Sequence, residues 1–333
     1  MGLCCGRFAD TERKRLLKDL LPFQALEAPT WRKTKALSVK KMIKRIMKYS
    51  KEWEEGKKDK YESDLIEKVY QELLVQFIFH QNMEDEVGFS TYEETDEFLK
   101  SCHAGGITLK RSLSKSEQET LNLRKAYEHL LDKIKREEES SDYGLLESSL
   151  LQDTHRILLQ GVRLKDGNTE PGMFSNQRRC TKFEGELYWY PYLPNPGQME
   201  KAISEILDRC NIRFDCCTRD GLKDFEDFYN LFKTCAWMLF ELLDLHPFGD
   251  GNGRLCRILC SYLLSIFSPF PTPVYNVWTD STKHDYEKAL FDTRKSAERH
   301  PTALTTMIIE CSYHGWKNFF QRLEEKRRLR EKK

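Results

Sequence analysis

At 333 residues the chain can hold one large domain or two modest ones, and its 39% hydrophobic and 12% aromatic content can build a sizeable core. Fifty-four Lys and Arg against 53 Asp and Glu leave a net charge of +1, which excludes a globally basic nucleic-acid binder. The longest apolar stretch, Ile258–Trp278, is broken by Ser265, Ser268, Pro269, Pro271 and Pro273, so no membrane-spanning helix is expected.

The N-terminus opens Met1-Gly2-Leu3-Cys4-Cys5. Gly2 is the glycine of a myristoylation site and Cys4 and Cys5 could carry palmitoyl groups, although Gly6 stands where Ser or Thr is usual. Acylation there would add a membrane as a partner; one chain alone anchors only marginally. The eleven cysteines include no Cys-x-x-Cys pair, and no secretory leader precedes them. Reduced thiols and a cytoplasmic location are expected.

Residues 1–60 read as a tail and a basic helix, with Val39, Met42, Ile43, Ile46 and Trp53 spaced as a helix face over Ala36–Trp53. The lysines between them read as a solvated face. A second region, 61–140, begins with Ser63–Phe79, where Ile66, Val69, Tyr70, Leu73, Leu74, Phe77 and Ile78 recur at three- and four-residue steps. The acidic stretch Glu84-Asp85-Glu86 follows, then a helix capped by Ser90 or Thr91, a loop over 100–116 and a helix over Ser116–Arg136.

The third region, 141–323, opens with a helix over Leu145–Leu159; its His155 reads as structural. Cys180–Phe183 and Leu187–Tyr192 flank Glu184-Gly185-Glu186 and read as a β-hairpin. Helices are expected at Met199–Cys210, Phe225–Leu245, 254–267, Lys283–Arg294 and Thr302–Leu323, before a charged tail over 324–333. The order points to an all-α fold with one small hairpin.

Residues 246–257, His-Pro-Phe-Gly-Asp-Gly-Asn-Gly-Arg-Leu-Cys-Arg, concentrate the chemistry. His246 stands where an amphipathic helix gives way to a loop, and imidazole is the default general base near neutral pH. Asp250 is a hard oxygen ligand suited to Mg²⁺ carried by a nucleotide. Gly251 and Gly253 allow close backbone approach and an anion-binding nest at a helix start. Arg254 and Arg257 share a helix face and could hold two phosphates of one polyphosphate. Gly-Asn-Gly alone would be an ordinary turn; the whole set implies a base, a metal and a polyphosphate cradle.

The same twelve residues resemble the signature of the Fic family, His-Pro-Phe-x-(Asp/Glu)-Gly-Asn-Gly-Arg-x-x-Arg, at every specified position. The resemblance implies a Fic-type helical core with a hairpin flap, preceded by an N-terminal helical region. It implies a protein adenylyltransferase that moves AMP from ATP, with Mg²⁺, onto a Ser, Thr or Tyr hydroxyl of a target protein. His246 would be the base and Asp250 the Mg²⁺ ligand. Gly251, Asn252, Gly253, Arg254 and Arg257 would bind phosphates, and Phe248 would point into the core. The target would lie along the flap at Leu187, Tyr188 and Trp189. Other chemistries of the family are the alternatives: removal of AMP, phosphorylation, or transfer of UMP or phosphocholine. A non-catalytic nucleotide-binding module is the remaining one.

Relatives with an N-terminal inhibitory helix carry Ser or Thr followed, four residues on, by Glu-Gly or Glu-Asn, and that glutamate occupies the second arginine of the signature. Here His80 stands in the Ser or Thr position, Glu84 in the acid position and Asp85 where Gly or Asn belongs. Glu84 is the first inhibitory candidate and Glu86 the second.

Overall fold

The computed structural model describes residues 10–32, 37–57, 63–104, 112–137, 146–162 and 169–332. Gly2, Cys4 and Cys5 lie outside the described residues. Among them are eleven helices and one two-stranded hairpin, which makes the fold all-α. The helices are α1 (Asp10–Leu20), α2 (Val39–Gly56), α3 (Ser63–Met83), α4 (Tyr92–Ala104), α5 (Lys115–Glu137) and α6 (Ser148–Leu158). After β1 (Cys180–Phe183) and β2 (Glu186–Trp189) come α7 (Pro196–Thr218), α8 (Phe225–Leu245), α9 (Asn252–Leu264), α10 (Lys283–Lys295) and α11 (Thr302–Glu331).

The centre of the molecule is α8. It is apolar around nearly its whole circumference, so it must be enclosed by other helices rather than lie on a surface. Its neighbours are α7, α9, α11 and α2. The start is fixed by a reciprocal cap: Asp224 accepts from the Glu226 and Asp227 N–H groups at 2.9 and 3.1 Å, and Asp227 accepts from the Asp224 N–H at 3.2 Å. The end is fixed at His246, whose φ of 52° is left-handed and cannot continue a helix.

Several boundaries differ from the periodicity. A further helix, α1, precedes the basic one; it buries Leu17 and ties Arg13 to Asp220 at 3.3 Å. The basic helix starts at Val39 rather than Ala36, because Ser38 accepts from the Lys41 N–H and acts as its cap. The signature helix α9 starts at Asn252, two residues before Arg254. α11 runs beyond Leu323 on largely exposed polar residues, whereas α7 runs beyond Cys210 through a further turn that buries Arg213, Phe214, Cys216 and Cys217.

The hairpin turns on two residues, Glu184 and Gly185, at φ 47° and 89°. Two left-handed residues match the twist of the paired strands. Among the described residues no helix is long and apolar enough to cross a membrane.

Gly315 tests the packing of α11 on this core. A Cβ there would lie 2.6 Å from Phe270 Cε2 and 3.0 Å from Trp278 Cζ3. Helix propensity favours alanine over glycine by about 0.8–1 kcal/mol, but overpacking a filled core costs about 1–3 kcal/mol. Gly315→Ala is therefore expected to lower the thermal unfolding midpoint; an unchanged or higher midpoint would show that the two rings yield freely.

Candidate functional site

The loop between α8 and α9 carries His246, Phe248 and Asp250 and delivers Arg254 and Arg257 at the start of α9. His246 Nδ1 lies 3.4 Å from the Leu243 carbonyl oxygen, so it is the protonated nitrogen and donates. Nε2 then keeps the lone pair, as a general base requires. Tyr190 stacks on the imidazole with centroids 3.9 Å apart and planes 12° apart. Burial, reinforced by the charge of Arg179, pushes the His246 pKa down to about 3 and keeps the ring neutral.

Phe248 is fully buried and anchors the loop. Asn252 clamps it from the first turn of α9: its amide donates to the Phe248 carbonyl at 2.7 Å and accepts from the Phe248 N–H at 3.0 Å. Arg179 also donates to the Phe248 carbonyl. His155 lies flat on the Phe248 ring at 3.8 Å. The Gly172 N–H donates to its Nδ1 at 2.8 Å, so its Nε2 carries the proton and donates to the Asp250 carbonyl at 3.0 Å. Burial lowers the His155 pKa to about 4. His155 thus joins α6, the Gly172 turn and the loop.

Arg254 and Arg257 are each 3% exposed. Arg257 Nε donates to Gln81 Oε1 at 2.5 Å and its Nη2 to the Gln81 carbonyl at 3.2 Å. Asp85 stands between the two guanidiniums, with Oδ1 3.3 Å from Arg257 Nη2 and Oδ2 3.3 Å from Arg254 Nε. Arg254 Nε and Nη1 are buried and have no hydrogen-bond partner among the described residues. Buried charged donors left unpaired are costly, and an anion would satisfy them. Gly253 keeps this floor open: a Cβ there would meet Arg257 Nη1 at 3.1 Å.

Neither acid singled out in the sequence forms an ion pair with these arginines among the described residues; the residue between them does. Helix α3 ends at Met83, and residues 84–86 form a turn closed by Asp85 N–H to Asn82 C=O and Glu86 N–H to Met83 C=O. The turn sends Glu84 away from the site. Its carboxylate accepts from the Tyr275 hydroxyl at 3.0 Å and the Asn276 amide at 2.9 Å, and its carbonyl from Lys283 at 2.5 Å. Glu86 takes a left-handed φ of 56°.

Asp250 Oδ1 accepts from the Gly251 N–H at 2.8 Å. No group of three or more His, Cys, Asp or Glu side chains that could hold a metal occurs among the described residues. A divalent cation here would need phosphate and water oxygens besides Asp250, which suits a nucleotide-borne Mg²⁺.

Strand alternation splits the flap residues. Leu187 and Trp189 face solvent, 54% and 58% exposed. Tyr188 turns inward, and its hydroxyl donates to Asp244 Oδ1 at 2.9 Å. The same carboxylate accepts from Arg294 Nε at 2.9 Å and Arg299 Nη2 at 2.6 Å. The Arg294 guanidinium lies 4.8 and 5.3 Å from the Tyr188 and Tyr190 ring centroids, so it backs the tyrosine that covers His246. Asp85, His155, Tyr190, Asp244 and Arg294 were not legible as site residues. Only the two-residue alternation of the second strand, which puts Tyr190 on the same face as Tyr188, bears on one of them.

Residues 145–264 match the model of the Fic/DOC family. The chain is 32% identical over 94 residues to a Fido domain-containing protein of Dictyostelium discoideum, a match covering 28% of this chain and 64% of that one. It is 26% identical over 148 residues to a protein named ribonucleoside-diphosphate reductase small chain from Ostreid herpesvirus 1, covering 44% of this chain and 22% of that one. The chain thus spans less than two thirds of the length of these curated relatives. Among solved structures, a Fic domain-containing signaling protein from Bacteroides thetaiotaomicron superposes with a TM-score of 0.58 at 17% identity, covering 85% of this chain and 95% of that one. Fic-1 from C. elegans gives a TM-score of 0.57 at 16% identity, covering 85% and 71%. At such identities these structures establish the fold.

The neutral histidines predict an acid response. His80, His155 and His246 have folded pKa values of about 4, 4 and 3, all lowered by burial, against about 6.5 in the unfolded chain. Below pH 6.5 the unfolded state binds more protons, so stability falls as pH drops from there towards 4. Thermal midpoints are expected to decline over that window. ¹⁵N spectra at pH 5.5 are expected to show neutral imidazoles at these three positions; protonated signals would contradict the burial.

Proposed function

We propose that this chain, whose residues 145–264 match the model of the Fic/DOC family, is a protein adenylyltransferase of that family held in a self-inhibited state by Asp85. The observation that carries the reading is the buried Arg254, ion-paired with Asp85 at 3.3 Å but with Nε and Nη1 lacking a hydrogen bond among the described residues, at the start of the helix that follows a base-competent His246. An incompletely satisfied cation, a helix N-terminus and a neutral imidazole on one loop suit phosphoryl-type transfer, in which positioning and charge stabilisation supply most of the rate.

In this reading His246 Nε2 takes the proton of a target Ser, Thr or Tyr hydroxyl. The hydroxyl oxygen bonds to the α-phosphorus of ATP, the bond from that phosphorus to the bridging oxygen breaks, and pyrophosphate leaves. Arg254 and Arg257 hold the β- and γ-phosphates, and the Gly251 and Gly253 backbone lets them approach. Asp250 would hold Mg²⁺, which would neutralise phosphate charge. The Asn252 side chain serves mainly to shape the loop through Phe248. A pKa near 3 makes His246 a weak base in the free protein. The negative charge of bound phosphates raises the proton affinity of the ring, so base strength arrives with the substrate.

Asp85 occupies the guanidiniums that the phosphates need. A carboxylate and a phosphate compete for the same donors, so the turn after α3 must move for ATP to bind productively. The exposed Leu187 and Trp189 are the surface on which an extended target segment would align beside the flap.

ATP labelled separately at the α- and γ-phosphate, incubated with Mg²⁺ and a cell lysate, tests the reaction. Label from the α position alone, absent with His246→Ala, is expected; γ label alone would make the protein a kinase and sink the proposal. Releasing a charge-assisted contact of about 1.5–3 kcal/mol should raise transfer roughly 10- to 100-fold in Asp85→Ala. Glu86→Ala should leave it near wild type. Equal rates for wild type and Asp85→Ala would remove Asp85 as the inhibitor.

A further inference from the structure

We propose that the exposed face of α2 is an electrostatic docking surface for an anionic lipid bilayer. Residues 39–51 contain six cations, Lys40, Lys41, Lys44, Arg45, Lys48 and Lys51, and no acid. All six are exposed. Lys40, Lys41, Lys44 and Lys48 have no side-chain hydrogen bond or ion pair among the described residues. Arg45 donates to the Tyr313 hydroxyl at 3.1 Å, and Lys51 lies 3.9 Å from Glu55. In a chain of net charge +1 this is segregation of charge onto one surface, not an overall excess.

The opposite face of the helix decides how this surface can act. Val39, Met42, Ile43 and Ile46 are 0–2% exposed and belong to the core. The helix therefore cannot roll its apolar side into a bilayer as a free amphipathic helix does. It presents a fixed row of ammonium groups about 18 Å long, from twelve residues at 1.5 Å each. Attraction to such a surface is by charge alone and must weaken with salt.

Two observations favour lipid over nucleic acid. The aromatic residues of α2 are turned inward, Tyr49 onto Trp316 and Phe320 and Trp53 onto Phe319, so no ring is offered for base stacking. Five of the six cations are lysines, point charges without the planar fork that reads phosphates and bases in fixed geometry. Acids flank both ends: Asp19, Glu27 and Glu226 share a cavity with Lys14, Lys18 and Lys40 near the N-terminal end, and the exposed Glu52, Glu54 and Glu55 follow Lys51 at the other. The centre of the surface is therefore Lys41–Lys48.

The location also leaves the candidate site open. Lys40 shares that cavity with Phe225, Glu226 and Tyr229 in the first turns of α8, whereas His246 closes the other end. A helix of 21 residues separates the two by roughly 30 Å. A molecule held by α2 would keep its flap free for protein targets.

The test uses the full chain produced without acylation, so that the charged face acts alone. Co-sedimentation is measured with vesicles of phosphatidylcholine and with vesicles containing about 30% phosphatidylserine. Binding only to the anionic vesicles, lost as salt is raised, is expected. Each lysine near an anionic surface contributes roughly fivefold, so Lys41→Gln/Lys44→Gln/Lys48→Gln should weaken binding roughly 100-fold. The thermal midpoint should stay unchanged, because these side chains touch nothing in the core. The corresponding triple Lys→Arg variant should bind as wild type. Wild type remaining in the supernatant at low salt, or a Gln triple variant that binds like wild type, would overturn the proposal. So would tighter, face-dependent binding to a short duplex or single-stranded nucleic acid.

Discussion

The chain has to leave one buried helix and enter the next within six residues, and the site depends on how it does so. Helix α8 stops at a histidine in left-handed conformation, and α9 starts after a glycine in the same region. Gly251 adopts this region freely for want of a Cβ; for His246 the steric cost is about 1–2 kcal/mol. The loop persists because Asn252 clamps both backbone groups of Phe248 and His155 packs against that ring while bonding the Asp250 carbonyl. Once the loop is held, His246, Asp250 and the two arginines have fixed relative positions without any long-range adjustment.

Charge is then managed on two sides of that loop. On one side, Arg254 and Arg257 are drawn into the protein and share one carboxylate, leaving Arg254 donors unsatisfied. A tightly satisfied arginine pair would be inert; an incompletely satisfied one retains affinity for a better anion. On the other side, Asp244 gathers Arg294, Arg299 and Tyr188, which ties the flap to the end of α8 and to α10. Tyr190 extends this arrangement onto the face of His246. The hairpin that exposes Leu187 and Trp189 is thus in mechanical contact with His246.

The buried histidines follow the same logic. His155 and His246 are kept neutral by desolvation, but their hydrogen bonds select opposite tautomers. His155 accepts at Nδ1 and is a structural cross-link; His246 donates at Nδ1 and leaves Nε2 available. Identical side chains thus differ by one hydrogen bond: His155 is bonded at both ring nitrogens, His246 at Nδ1.

What the sequence by itself determined was everything carried by contiguous residues. Apart from α1, the helical order followed from three- and four-residue apolar spacing, the hairpin from Glu184-Gly185, and the grouping of His246, Asp250, Arg254 and Arg257 from residues 246–257. The burial of Phe248 was expected only from the resemblance of the signature, and the same resemblance grouped Tyr188 with Leu187 and Trp189, although Tyr188 turns inward. What only the tertiary structure decided was which distant residues meet that loop. Gln81 reaches Arg257 across 176 positions and Tyr188 reaches Asp244 across 56. The acid that meets the two arginines is the sharpest case, because Glu84, Asp85 and Glu86 are adjacent and chemically alike. A turn of one residue's rotation sends Glu84 to Tyr275 and Asp85 to the arginines. No local rule distinguishes them; the choice is made by where α3 ends, by the packing of α9 against it and by the Tyr275, Asn276 and Lys283 donors that hold Glu84.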